Sequence, residues 1–207
     1  MLTGFADGGL ELRRQASGAV TLRGRFPYGQ RAVLSDGGRT GRPKKEVIAS
    51  RAFGYRLDRE DEDIHFLVGH SFDKPLASRS AGTFDIVDGD DAVTFIATIT
   101  QEMQDVSYVR DILASISAGL TIGLSPGFRL PPERAVPQSE RIEDEDPAEG
   151  MAVIRTVLAA LLYEMSVVTR PAYPKTQVEA RNWTPGGIIV PDRSAVMPLH
   201  PFDRWRL

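Results

Sequence analysis

The chain contains no cysteine. Disulfides, thiolate metal sites and a cysteine nucleophile are therefore excluded, and any nucleophile has to be a hydroxyl. Histidine is scarce as well, with only His65, His70 and His200. A three-histidine zinc site would consume all three, one of them close to the C-terminus, so no metal and no other cofactor is expected. No run reaches the roughly 18 apolar residues of a membrane span, and residues 1–10 lack the basic flank and apolar core of a signal peptide. A soluble cytoplasmic chain with no membrane partner is the expectation. Neither sign of charge dominates, since 25 Lys and Arg against 28 Asp and Glu leave a formal net charge of −3. Nucleic acid, which calls for a basic face, is not expected as a partner.

What is present fits one domain with tails: 207 residues, of which 42% are apolar, can enclose a single core. The 14 prolines and 19 glycines imply many turns and argue against a helical bundle. Residues 20–28 alternate as a half-buried strand does, after a Ser-Gly turn signal, and predict an opening β-hairpin. Residues 64–69 read as a short buried strand ending at His70. Residues 82–87 and 92–99 flank an Asp-Gly-Asp-Asp turn and predict a second hairpin. Val106, Val109, Ile112, Leu113 and Ile116 recur at helical steps, with Asp105 as a candidate N-cap and Gly119 as the stop. A mainly β (α+β) fold follows.

Two segments read as loops. Residues 30–45 are rich in turn formers and cations, and residues 130–150 combine prolines with an acidic run that cannot order itself by burial. Residues 153–169 are apolar and fit either a helix or two strands, with strand preferred for the second half. In that register Leu161, Tyr163, Met165 and Val167 point inward, while Glu164 and Ser166 face the other way. The resulting division is a domain over residues 1–182, with flexible segments at about 30–45 and 130–150, and a loosely ordered tail over 183–207.

Acyl transfer by a hydroxyl needs a serine, a base, a group that fixes the base, and donors for the oxyanion. In residues 121–129, Ile122, Leu124 and Phe128 fall on one side and Gly123, Ser125 and Gly127 on the other. Ser125 thus faces away from the core, between glycines that leave room for a substrate backbone. The same residues match the Gly-x-Ser-x-Gly nucleophile elbow of α/β-hydrolases. That elbow needs a helix straight after the serine, which Pro126, Gly127, Pro131 and Pro132 forbid, and His200 is the only histidine downstream. Between His65 inside the apolar run and His70 at its end, His70 is the better placed base. Glu164 is the only carboxylate in residues 153–168 and requires a partner, either a catalytic histidine or a structural one.

Three segments, in order, resemble the prohead protease family of tailed phages, related in fold to herpesvirus assemblin. The first is His70-Ser-Phe-Asp-Lys-Pro75-Leu76, followed by a hairpin. The second is Gly119-Leu-Thr-Ile-Gly-Leu-Ser125-Pro-Gly127-Phe128, similar to the family's Leu-Ser-x-Gly-aromatic nucleophile segment. The third is Leu162-Tyr-Glu164-Met-Ser166-Val-Val-Thr-Arg-Pro171-Ala172-Tyr-Pro174, similar to Glu-x-Ser-Leu-Val-x-x-Pro-Ala-x-Pro. Upstream, Ala52-Phe53 is like the family's Gly-Ala-Phe. The likeness runs from about residue 21 to 178. It departs at Ser71, at Ala77 and at Pro126, where a proline requires an edge or bulged strand.

The resemblance implies a small, closed or nearly closed herpesvirus-protease-like β-barrel with the 105–119 helix and few others outside. It implies His70, Ser125 and Glu164 as a catalytic triad, with Thr169, Arg170 and Gly127 as oxyanion or substrate contacts. The activity would be that of a serine endopeptidase of a bacteriophage or prophage, acting inside the assembling procapsid in the host cytoplasm. Its partners would be the major capsid protein precursor, a scaffold protein and the chain itself, through autoprocessing or a homo-oligomer. The alternative is a non-catalytic capsid-assembly or scaffolding protein on the same fold.

Overall fold

Alternation of apolar and polar residues gives thirteen strands among the described residues. The structure, a computed structural model, describes residues 4–6, 10–15, 18–120, 123–171 and 173; the expected tail over 183–207 and His200 lie outside these. The elements are β1 (Gly4–Ala6), β2 (Leu10–Arg14), β3 (Val20–Pro27), β4 (Arg31–Ser35), β5 (Lys44–Ile48), α1 (Gly54–Leu57), β6 (His65–Val68), β7 (Ser71–Ser78), β8 (Phe84–Asp88), β9 (Ala92–Ile99), α2 (Gln101–Gln104), α3 (Ser107–Ser117), β10 (Gly123–Arg129), β11 (Glu140–Asp144), β12 (Val153–Val157) and β13 (Leu161–Val168).

These strands form three sheets, in the orders β1-β2-β3-β9-β8, β10-β13-β6-β7 and β11-β12-β5-β4. Both expected hairpins are present, β2 with β3 and β8 with β9. Val20, Leu22, Phe26, Val93, Phe95, Ala97 and Ile99 are buried in one core with Phe66, Leu124, Met165 and Val167 of the second sheet and with Val109, Ile112, Leu113 and Ile116 of α3. Phe66, Phe84 and Phe95 join the first two sheets, with ring centroids 4.9 to 5.6 Å apart, a packing that adds to simple burial. Helix α3 ends as expected at Gly119, whose φ of +71° suits glycine. Gly119 N–H donates to Ile116 O and Leu120 N–H to Ser115 O, the pair of bonds that closes a Schellman motif. Asp105 is not its N-cap; that position is Val106, with no side-chain bond, and Asp105 instead ends α2.

The mainly β expectation holds, but the barrel does not form: among the described residues the sheets are open, with β1, β8, β10, β7, β11 and β4 at their edges. The reason lies in two stretches that run side by side. β5 pairs with β12 and β6 with β13, both in parallel, yet the ladder is interrupted between them by residues 49–64, which contain α1. Only isolated bonds bridge the gap, such as Ala160 N–H to Ala52 O at 2.7 Å. Hydrogen bonding therefore does not continue around the core, and the sheets close over it by packing.

The two segments expected as loops contain strands β4 and β11, on opposite edges of the third sheet. They are ordered against each other. Arg31 meets Glu149 at 2.8 Å and Glu145 at 3.5 Å, Arg42 meets Asp144 at 2.9 Å, and Lys45 meets Glu145. Exposed pairs contribute about 0–1 kcal/mol each. Glu145 differs because its side chain is only 1% exposed and also accepts from Ala152 N–H at 3.1 Å. The Lys45 hydrogen bond, with the Ala152 N–H, holds its carboxyl below the usual glutamate range.

A carboxyl depressed in the folded state binds its proton more readily when unfolded, so its contribution to stability is full above the ordinary glutamate range and is lost as pH falls through the folded value. Glu145→Gln is expected to lower stability at pH 7 and to flatten the acid limb of the stability profile, as read by urea denaturation between pH 3 and 7. A variant as acid-sensitive as the parent would contradict this role.

Candidate active site

The site is built on one face of the β10-β13-β6-β7 sheet. Along β13, Met165 and Val167 point into the core, so Glu164 and Ser166 face the other way, as alternation requires. The expectation that Leu161 and Tyr163 also point inward fails. Gly127 pairs with Glu164 but Phe128 pairs with Leu162, which leaves Tyr163 as an extra residue on β13. A bulge of this kind inverts the alternation. Leu162 enters the core, and Tyr163 lies under the Arg56 guanidinium at 4.2 Å.

His70 is placed by the tight turn between β6 and β7. Val68 pairs with Ser71, and the two residues between them, Gly69 and His70, have φ of +59° and +63°. Positive φ at both central positions is the mark of a two-residue hairpin loop of type I′. Glycine adopts it freely, whereas histidine requires help from its surroundings. That help is visible: His70 N–H donates to Ser166 Oγ at 2.9 Å, and the ring Nδ1 lies 2.6 Å from Glu164 Oε1. Gly69 N–H donates to Val167 O at 3.1 Å.

Glu164 is buried, its side chain only 4% exposed against 45% for His70. Its second oxygen, Oε2, accepts from Ser166 Oγ–H at 2.7 Å. Removing either partner from a buried carboxylate is costly, about 3–5 kcal/mol when it strands the charge. A carboxylate accepts and does not donate, so in the neutral ring the proton sits on Nδ1 and the lone pair on Nε2. His70 is thus an oriented base whose Nε2 makes no hydrogen bond among the described residues.

Ser125 lies on β10 directly opposite Ser166. Opposed residues of an antiparallel pair share a face, with Cβ atoms about 5 Å apart. Ser125 is half-buried, Leu124 on one side of it is fully buried, and the serine faces away from the core as expected. Its hydroxyl makes no hydrogen bond among the described residues, to His70 or otherwise. The structure therefore joins His70 to Glu164 and sets Ser125 across the ladder from Ser166, which bonds to both. Gly127, opposite Glu164, is a steric requirement: a Cβ there would stand 1.9 Å from Glu164 Oε1. Pro126 sits on an edge strand beside the register break, the setting that a proline demands.

Of the remaining candidates, Thr169 and Arg170 form an exposed bend where β13 ends beside Gly123, against which Pro171 packs. His65 neighbours Glu164 in the parallel ladder but turns to Asp63, 3.5 Å away, and to the Phe72 ring, at 5.6 Å. Ser166, to which the sequence assigns no role, bonds both Glu164 and the backbone of His70. Its signal was its position two residues after Glu164, hence on the same face of the same strand.

The family model described as caudovirus prohead serine protease matches residues 35–185, a stretch that holds all of these side chains. No curated protein and no solved structure gives a match.

Gly127→Ala is expected to push the Glu164 carboxylate off His70. The measurement is the low-field proton NMR signal of a histidine Nδ1–H bonded to a carboxylate, present in the parent and in Ser125→Ala but lost in Gly127→Ala. Retention of that signal would mean that Glu164 accommodates the methyl group without moving.

Proposed function

The chain belongs to the caudovirus prohead serine protease family, whose members are serine peptidases of phage prohead maturation, and from that premise we propose that Ser125, His70 and Glu164 are its catalytic residues. His70 Nε2 takes the Ser125 proton as the hydroxyl attacks a peptide carbonyl. The proton then passes to the departing amine, and water hydrolyses the acyl-enzyme by the same route. Glu164 holds the ring by Nδ1 and stabilises its charged form. The observation that carries this reading is the buried carboxylate bonded to the exposed histidine, with Ser125 opposite Ser166 in the adjoining strand.

Ser166 is a positioning residue in this scheme, since one hydroxyl bonds both Glu164 Oε2 and the backbone of His70. The Ser125–His70 hydrogen bond is expected to form when substrate binds, in keeping with the looser catalytic hydrogen bonds of substrate-free enzymes. Thr169 and Arg170, with Gly127, are the proposed oxyanion and substrate contacts. β10 is an edge strand among the described residues, so an extended substrate can lie along it. The substrates proposed are the major capsid protein precursor, a scaffold protein and the chain's own terminal segments, cut inside the procapsid.

The test is a fluorophosphonate serine probe, together with mass spectrometry of protein co-expressed with its capsid precursor. Labelling and cleavage are expected in the parent and absent in Ser125→Ala, with at least a thousandfold loss in His70→Ala, on the order of removing a triad member. Ser166→Ala should cost roughly tenfold to a hundredfold, the worth of one hydrogen bond to a charged group, and Ser166→Thr should recover most of it. A capsid complex that forms without labelling or cleavage would favour the non-catalytic assembly role.

A further inference from the structure

Along the ladder from Ser125, the same sheet face runs into a cleft of about 400 Å³ lined by arginines. Ser125, Gly127 and Arg129 share one side of β10 by alternation, and Arg129 pairs with Leu161, which lines the cleft with Tyr163. Arg56, Arg59 and Arg134 form much of the rest. We propose that this cleft reads an acidic side chain of the polypeptide substrate, about four residues from the bond that is cut, and this rests on the catalytic reading of Ser125. The spacing follows from geometry: Arg129 is four residues from Ser125, about 13 Å at the rise of a strand, and an extended substrate advances at the same rate.

The charge of the cleft is uneven. Arg56 is met by Glu62 at 2.8 Å, and its Nε is buried without a partner. Among the described residues no carboxylate comes within ion-pair distance of Arg59, Arg129 or Arg134. Glu60, Asp61 and Glu133 are their exposed sequence neighbours and pair with none of them. Aromatic rings hold three of the guanidiniums in place: Arg56 and Arg129 lie 4.2 and 5.9 Å from the Tyr163 ring, and Arg59 lies 4.8 Å from Tyr55. Planar guanidiniums fixed by stacking match the two oxygens of a carboxylate. A nucleic acid would need a basic surface following many phosphates, and only three arginines line this cleft, with Glu62 among them.

The experiment uses the full chain and two readouts. In the first, wild type cuts a proteome-derived peptide library and the cut sites are read by mass spectrometry. Asp and Glu are expected to be enriched at one position about four residues from the cut, and the exposed pair Arg59→Glu/Arg134→Glu should replace that preference with Lys and Arg. Cutting with no acidic preference would overturn the proposal while leaving the catalytic reading intact.

The second readout does not need catalysis. Ser125→Ala protein is titrated with a fluorescein-labelled peptide rich in Glu and with its Gln-matched control. At least tenfold tighter binding of the acidic peptide is expected, reduced to equality by Arg59→Gln/Arg134→Gln in a variant whose melting temperature is unchanged. Equal affinity for the two peptides, or preferential binding of a single-stranded oligonucleotide, would overturn it. Failure of wild type to cut or to label, with acidic binding intact, would sink the catalytic reading and with it the link to a cut site.

Discussion

A carboxylate taken out of water must have both of its oxygens answered, and the arrangement of the site follows from how that is done for Glu164. One oxygen takes the His70 ring and the other takes the Ser166 hydroxyl, which in turn holds the His70 backbone in a conformation that histidine seldom adopts. The three groups come from one strand, β13, and the turn after β6, so none can shift without stranding buried charge. Gly127 belongs to the same constraint, because only the absence of a side chain lets the carboxylate lie beneath β10.

The parallel pairing of β6 with β13 makes this arrangement available. Residues nearly a hundred positions apart are brought into register, and the turn after β6 then drops His70 back over β13. The bulge at Tyr163 separates two chemistries on one strand. On one side Glu164 and Ser166 face the histidine, and on the other Tyr163 turns to arginines. Without the extra residue Leu162 would share the face of Glu164 and the core would lose its side chain.

The third sheet shows how charge can order what composition alone would leave loose. The cationic segment around residues 31–45 and the acidic one around 140–149 each lack the apolar content to fold alone. Beside β5 and β12 they become edge strands, and Glu145 finds Lys45 and Arg31 at the point where burial is deepest. Neither segment's composition orders it alone; the opposite charge of the other does.

Local pattern was sufficient for whatever depends on neighbours in the chain: the two hairpins, α3 with its glycine stop, the outward-facing Ser125, the edge character forced by Pro126, and the separation of Glu164 and Ser166 from Met165 and Val167. Absence of cysteine narrowed the chemistry to a hydroxyl before any fold was known. Only the tertiary structure decided that the sheets stay open, that Tyr163 bulges, that the two charged segments meet, and that Ser166 joins histidine to carboxylate. These depend on pairing between distant segments, whose partners and register are chosen by burial and hydrogen bonding across the whole chain and leave no periodic trace in either segment alone.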